Sequence, residues 1–208
     1  MLSRCFTWAS IVVIGAGIVG ASVAYHLVRR GWRDVVIVDQ GPIPATGGST
    51  SHAPGGVFVT NYSRPMTRLA LETVELLTSL DLDGEPCFLQ VGTLELARTA
   101  ERWADHRRKL GAAQAWGVPG ARLIDPDEAR ELVPLLDPAE VLGAYHVPFD
   151  GIGKPLRGVA AMLRDVAAAA PDALTQAPLT TVTGFDIRAG QLRGVVTDRG
   201  PIETPLAV

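Results

Sequence analysis

The sequence has few cysteines, few aromatic residues and no surplus of one charge, and each shortage excludes a class of protein. Its 208 residues include two cysteines, Cys5 and Cys87. Neither lies in a CxxC or other metal-type spacing, so we expect no disulfide framework and no zinc site. The low cysteine content also fits a reducing compartment, and we expect a cytoplasmic location. The formal net charge is −3 with scattered Lys and Arg, which argues against a nucleic-acid partner.

Charge is also missing from one long N-terminal run, residues 5–25. Its length is compatible with a signal peptide or a membrane anchor. However, Gly15, Gly17 and Gly20 interrupt the run at the spacing of a GxGxxG motif. A second apolar strand also follows soon after the run. We therefore interpret the run as part of a soluble fold and expect no membrane association.

The N-terminal pattern predicts a βαβ unit. Ile11–Gly15 is a continuous apolar run typical of a buried strand, and Ile18–Arg30 has apolar residues at helical spacing. Val35–Val38 is a second continuous apolar run, as in a parallel sheet covered on both faces. Strand, helix and strand within about thirty residues predict a right-handed crossover.

A GxGxxG motif lies where this unit would bind a dinucleotide. Gly15 follows the first strand, Gly17 and Gly20 open the helix, and Asp39 ends the second strand nineteen residues after Gly20. In this context the three glycines allow a tight turn, close approach to a pyrophosphate and close helix–sheet packing. A carboxylate at Asp39 suits a ribose diol and would repel a 2′-phosphate, which argues against NADP. The alternative is a glycine-rich helix start that binds nothing.

The segment after Asp39 favours FAD over NAD. A plain nicotinamide-binding domain usually continues into its next helix, but here Gly47–Gly56 is a loop of small residues with three hydroxyls before one imidazole, His52. Such a loop suits close approach to a flat cofactor and its phosphates. From its chemistry alone, His52 is expected to be solvated or hydrogen-bonded.

This loop also carries a family resemblance. The stretch Gly48–Gly55 resembles the signature of the dimethylglycine oxidase, dimethylglycine dehydrogenase and sarcosine dehydrogenase group of D-amino-acid-oxidase-like FAD enzymes. The similarity extends from Ile11 to about Ile202 and includes the stretches Gln90–Gly92, Ala115–Gly117, His146–Pro148 and Thr180–Gly184.

The resemblance implies roles at the adenine end of FAD. Ile18 and Val19 would offer backbone N–H groups to the pyrophosphate. Asp39 would hold the adenosine ribose with Gln40 beside it, and the backbone of Val182 would meet the adenine.

At the flavin end, Ser49, Thr50 and Ser51 would line the path from the phosphates to the flavin. His52 matches the histidine that can be joined covalently to the flavin 8α-methyl carbon in this group. Gly56 is a further expected contact, although it stands where the group tends to have a larger apolar residue.

The resemblance implies an α/β fold: a Rossmann-like FAD-binding domain from residues 1–82 and 152–208, with an inserted, incomplete α+β substrate-side lobe at 83–151. We expect Ile11–Gly15, Val35–Val38 and Leu179–Thr183 to lie in one sheet system.

The implied function is FAD-dependent oxidative demethylation of a small N-methylated glycine, dimethylglycine or sarcosine. Two alternatives stay open: another flavin amine oxidase of the same family, and a non-catalytic truncated relative. No catalytic residue is identified; Asp150 is interpreted as a turn residue, and His26, His106 and His146 as helix or strand residues. No convincing catalytic pair is found, and the residues that contact amine substrates in the resembling enzymes lie beyond Val208, so we expect this fragment to bind FAD weakly at best and to lack turnover. Because the sheet ending in Ile202–Val208 would lack half of its strand partners, we also expect a tendency to self-associate.

Overall fold

The computed structural model describes residues 7–208, so Cys5 and Phe6, the first two positions of the uncharged run, lie outside the described residues. Within residues 7–208 no helix combines the length and apolar character needed to cross a membrane. A 3-10 turn covers Pro138–Glu140. In chain order the other elements are β1 (Ile11–Ile14), α1 (Ile18–Arg29), β2 (Val35–Val38), α2 (Ser49–His52), β3 (Gly56–Val57), α3 (Arg64–Ser79), β4 (Asp81–Leu82), β5 (Glu85–Pro86), β6 (Phe88–Leu89), β7 (Thr93–Ala97), α4 (Ala100–Trp116), β8 (Arg122–Ile124), α5 (Pro126–Leu132), β9 (Gly143–Val147), β10 (Gly151–Gly153), α6 (Pro155–Ala169), β11 (Leu174–Ala177), β12 (Val182–Arg188), β13 (Gln191–Thr197) and β14 (Gly200–Glu203).

The chain divides into two compact units. Unit 1 contains the described residues up to Ala53, then Leu80–Glu85 and Lys154–Val208, and unit 2 contains Pro54–Ser79 and Pro86–Gly153. This division differs from the sequence-based boundary at residue 82, because the segment 54–79 belongs to unit 2. The apolar face of α3 explains the difference, since Val74 and Leu77 pack in the core of unit 2 with Tyr145. The assignment of the units to FAD and to substrate stays a prediction.

A parallel sheet forms the centre of unit 1. Its strand order is β1-β2-β11, and β1 pairs in parallel with β2 in the register Val12↔Val36. The C-terminal residues run beside the other edge of β1, where Val12 N–H donates to Leu206 O at 3.0 Å and Val208 N–H donates to Val12 O at 3.0 Å. The mixed α/β architecture predicted from the sequence is therefore confirmed.

Two layers cover this sheet. On one side α1 contacts β1 and β2 and packs against α6. On the other side the antiparallel sheet β12-β13-β14 contributes Val195 and Ile202 to an apolar cluster with Val36 and Val38. All four residues of β2 are buried, which explains its continuous apolar sequence.

The third strand of the sheet was predicted wrongly. It is β11 and not Leu179–Thr183, and β11 pairs with β2 in the register Leu174↔Val35. Leu179 itself has a φ of +54°, a left-handed conformation that a strand does not contain. Residues 174–177 have little apolar character and follow a run of alanines, so strand periodicity is weak there. The segment after Pro178 instead crosses the carboxyl end of β2, where Leu179 N–H donates to Gly41 O at 3.0 Å.

Unit 2 is built on the antiparallel sheet β7-β9-β8, with a smaller sheet in the order β3-β10-β6. Helix α4 packs on all three strands of the larger sheet and is capped by Thr99, whose side chain accepts the Arg102 N–H at 3.2 Å. Helix α5 is capped by Asp125, whose side chain accepts the Glu128 N–H at 2.8 Å.

Candidate functional site

The turn between β1 and α1 in unit 1 can be made only with glycine at two of its positions. Gly15 has a φ of +101°, which side chains rarely adopt. At Gly20 an added Cβ would lie 1.8 Å from the Gly15 carbonyl oxygen. Gly17 starts α1 in an extended conformation, and a Cβ there would meet Thr50 Oγ1 at 2.9 Å. The three glycines therefore allow the close packing of turn, helix and loop that the motif predicts.

Asp39, at the end of β2, fastens this turn. Its Oδ2 accepts the Ala16 N–H at 2.8 Å, and its Oδ1 accepts the Gly41 N–H at 2.7 Å. An ionised carboxylate has about four lone-pair sites, so two backbone bonds leave acceptor capacity for a ribose hydroxyl. Asp39 thus positions the glycine turn and keeps acceptor capacity for a ligand.

The N-terminus of α1 offers backbone N–H groups to an anion. The Ile18 N–H donates to Thr50 Oγ1 at 2.9 Å, so this donor already has a protein partner. Among residues 7–208 no acceptor is found for the N–H groups of Val19 and Gly20. The first turn has no acidic side chain, which leaves the positive end of the helix dipole available to a phosphate.

The hydroxyl-bearing segment forms the short helix α2. Thr50 contacts the α1 terminus as described, and Ser51 Oγ accepts the Gly47 N–H at 3.1 Å. Ser49 is exposed, and His52 is an exposed residue at the end of the helix. Two of the three predicted hydroxyls therefore hold the loop itself in place.

Two adjacent cavities of unit 1 lie along the glycine turn. One, of about 380 Å³, lies along Gly15, Gly17 and the α1 terminus and reaches Ser49 and Thr50. The other, of about 220 Å³, is lined by Gln40 and Val182 among other residues. Both cavities contain Ile14, Gly15 and Asp39 in their walls. Their shared wall suits an extended ligand with one end near Val182 and its phosphates near the helix terminus.

Two further residues of the smaller cavity were not predicted as individual contacts. Thr180 and Thr181 line it, and the Thr180 N–H donates to the Asp39 carbonyl oxygen at 2.8 Å. The Asp198 side chain accepts the Thr181 N–H at 2.9 Å. The available signal was the position of both threonines immediately before Val182.

One predicted cofactor residue lies outside this arrangement. Gly56 belongs to unit 2, where it pairs with Ile152 in the smaller sheet. A Cβ at Gly56 would meet the ring of Phe58 at 3.3 Å, which gives this glycine a packing reason within unit 2.

Unit 2 contains a buried polar cluster that the sequence did not predict. Asp150 is 2% exposed; its carboxylate accepts the Val59 N–H at 2.7 Å and the Thr93 hydroxyl at 2.5 Å. Burial raises the pKa of Asp150 above its ordinary value. Burial also raises the pKa of Tyr145, whose hydroxyl lies 2.8 Å from Thr60 Oγ1. Asp150 therefore holds two segments of unit 2 together and is more than a turn residue.

The described residues contain no group of three or more His, Cys, Asp or Glu side chains arranged to hold a metal ion. The turn, the free N–H groups and the Asp39 carboxylate fit a dinucleotide cofactor instead. A larger residue at Gly17 would occupy the place where a pyrophosphate would approach, and one at Gly20 would force the start of α1 away from the glycine turn.

Comparison with known proteins gives a consistent result. Residues 10–208 match the family model described as FAD dependent oxidoreductase. The solved L-proline dehydrogenase from P. horikoshii is 30% identical with a TM-score of 0.86, and the match covers 97% of this chain and 52% of that chain.

Two curated relatives are named for different functions, one as a regulatory subunit and one as a dehydrogenase. The mitochondrial pyruvate dehydrogenase phosphatase regulatory subunit of Mus musculus is 32% identical over 94% of this chain and 22% of its own length. The mitochondrial dimethylglycine dehydrogenase of Rattus norvegicus is 34% identical over 69% of this chain and 17% of its own length. The chain thus spans about a fifth of the length of these relatives. It belongs to the FAD-dependent oxidoreductase family, and FAD, the cofactor predicted from the sequence, is the cofactor of that family.

Proposed function

We propose that this chain holds FAD in unit 1 for the oxidative demethylation of N-methylated glycines, dimethylglycine or sarcosine. The observation that carries the proposal is the glycine turn fastened by Asp39, followed by the loop that resembles the dimethylglycine dehydrogenase group. The similarity to rat dimethylglycine dehydrogenase supports the substrate class.

Each part of the unit 1 site has a task in this proposal. The N–H groups of Val19 and Gly20 would bind the pyrophosphate, and Asp39 would accept hydrogen bonds from the ribose. Val182 and Gln40 would contact the adenosine end, as the residues of the smaller cavity. FAD bound there would supply the two-electron oxidation of the N-methyl group, and hydrolysis of the resulting iminium by water would give formaldehyde and the demethylated amine.

A covalent link between His52 and the flavin is a further part of the proposal. His52 follows the three hydroxyl residues and is exposed at the end of α2. An exposed imidazole is accessible to a cofactor without unfolding of its surroundings. The resemblance of the Gly48–Gly55 loop to the signature of the group supports this assignment.

A second candidate is a regulatory role without turnover. It is favoured by the similarity of 94% of the chain to a protein named as a regulatory subunit. We further propose that residues 1–208 alone bind FAD without turnover, since they cover 52% of the solved L-proline dehydrogenase chain. Both candidates use the same cofactor site, so FAD binding alone does not separate them.

Formaldehyde release separates the two candidates. The assay uses the protein purified from the cells that produce it, with dimethylglycine or sarcosine as substrate. Betaine, whose quaternary nitrogen has no lone pair from which an iminium could form, serves as a comparison. We expect substrate-dependent formaldehyde from that protein and none from residues 1–208 reconstituted with FAD. Flavin-loaded natural protein without any formaldehyde would contradict the demethylation proposal and favour the regulatory role. Formaldehyde from residues 1–208 would contradict the proposal that they lack turnover.

A further inference from the structure

Unit 2 has a cavity of its own, of about 800 Å³. One wall is a face of α4, where Arg102, Asp105, Lys109 and Trp116 recur at helical spacing. All of its lining residues belong to unit 2. A cavity of this volume with mixed apolar and polar walls is within the range that small ligands occupy.

The charges in its wall leave a positive excess. Three cationic side chains, Arg102, Arg108 and Lys109, face two carboxylates, Glu95 and Asp105. Asp105 lies between both arginines, with Oδ1 3.1 Å from Arg108 and Oδ2 3.7 Å from Arg102. One net positive charge therefore remains when every carboxylate of the wall has a partner.

These charges form an inner and an outer layer. In the inner layer the Lys109 side chain is 16% exposed and its Nζ lies 2.5 Å from Glu95 Oε2. His106 lies behind this pair, with Nε2 3.9 Å from Glu95 Oε2, and burial lowers its pKa so that it adds no charge near pH 7. In the outer layer the side chains of Arg102 and Arg108 are 51% and 77% exposed. Arg102 also lies 3.6 Å from Glu95 Oε2 and so links the two layers, and the exposed N–H donors that these pairs leave over are accessible.

The segment 58–62 adds two exposed aromatic rings to the lining, beside the polar Thr60 and Asn61. Phe58 and Tyr62 line the cavity and are 60% and 95% exposed. Exposed aromatic rings beside a charged pocket are favourable to cover, because their burial removes apolar area from water. A ligand that fits both the charged wall and these rings has an anionic head and an apolar body.

We propose that unit 2 binds a small amphipathic carboxylate, with its head on Arg102 and Arg108 and its apolar body against Phe58 and Tyr62. A carboxylate matches the planar fork of a guanidinium, which donates two parallel hydrogen bonds to it. One carboxylate also neutralises the excess positive charge of the wall. This site goes beyond the proposed FAD function and shares no residue with the unit 1 cavities.

Isothermal titration of the full 208-residue chain with 3-phenylpropanoate tests the proposal. We expect saturable binding, and binding at least about tenfold weaker for 3-phenylpropan-1-ol and 3-phenylpropylamine, which keep the body and change the head. Arg102→Gln and Arg108→Gln are each expected to weaken the carboxylate about tenfold. Arg107→Gln, an exposed position of α4 outside the cavity, is the matched control and should leave the affinity within about twofold.

Several results would overturn the proposal. They are absence of saturable binding, equal affinity for the three head groups, or equal losses in Arg107→Gln and the two cavity variants. The comparison of head groups uses the unchanged chain, so it decides the question even if an arginine variant fails to fold.

Discussion

Replacement of Gly20 by alanine perturbs the glycine turn with the smallest possible side chain. The added Cβ would lie 1.8 Å from the Gly15 carbonyl oxygen, 3.0 Å from its carbonyl carbon and 3.3 Å from Val13 Cγ1. The first two atoms belong to the backbone, so no rotamer change relieves the contact. The turn and the start of α1 must instead move apart.

The magnitude follows from two opposing effects. Overpacking of a tight contact costs about 1–3 kcal/mol, whereas alanine gains up to about 1 kcal/mol over glycine in a helix interior. Because the contact here is far shorter than van der Waals separation, we expect the free energy of unfolding to fall by about 2 kcal/mol. Displacement of the Val19 and Gly20 N–H groups should weaken FAD binding by about tenfold or more, which corresponds to about 1.4 kcal/mol.

Urea denaturation and FAD titration measure the two effects, with Gly111→Ala as the matched control. Gly111 lies in α4, and a Cβ there would meet nothing within 4 Å. Only the helix-propensity gain of about 1 kcal/mol applies to it, so we expect equal or greater stability and unchanged FAD affinity. A Gly20→Ala protein as stable as Gly111→Ala, with unchanged FAD affinity, would refute the packing argument.

The remaining predictions concern Asp39, His52 and His106. Asp39→Ala removes the acceptor for the Ala16 and Gly41 N–H groups and should weaken FAD binding by about 1–3 kcal/mol in a dialysis or titration assay. His52→Ala should release flavin that otherwise stays yellow in the acid-precipitated natural protein. Burial lowers the pKa of His106, so its stabilising contribution is present above the unfolded pKa of about 6.5 and is lost as pH falls through the folded pKa. His106→Phe should therefore reduce the loss of unfolding free energy on acidification below about pH 6.5.

Each of these predictions has a contradicting result. Unchanged flavin retention in Asp39→Ala would contradict the ribose assignment. A colourless acid precipitate of the natural protein would contradict the covalent link and leave FAD binding itself intact. Equal acid sensitivity of His106→Phe and the unchanged chain, measured by urea denaturation at several pH values, would exclude His106 as a source of the pH dependence.

The sequence predicted the βαβ start of the fold because its signals are local. The buried strands β1 and β2 are continuous apolar runs, and Gly15 and Gly20 have no substitute in the observed turn.

The prediction failed where partners distant in the sequence decide the structure. Strand β11 is held by its pairing with β2, and its own four residues have no strong strand pattern. The compact units divide the chain differently from the expected boundary at residue 82, because Val74 and Leu77 share a core cluster with Tyr145 of β9 and Ala113 of α4. Asp150 was interpreted as a turn residue because its bonds to Val59 and Thr93 span 91 and 57 positions of the chain.

Titration of residues 1–208 with FAD, followed by flavin fluorescence, tests the central claim most directly. The account predicts saturable binding at one site per chain, weakened in Gly20→Ala and Asp39→Ala and not displaced by excess NADP, whose 2′-phosphate the Asp39 carboxylate repels. The absence of saturable FAD binding, or displacement of FAD by an equal concentration of NADP, would contradict it.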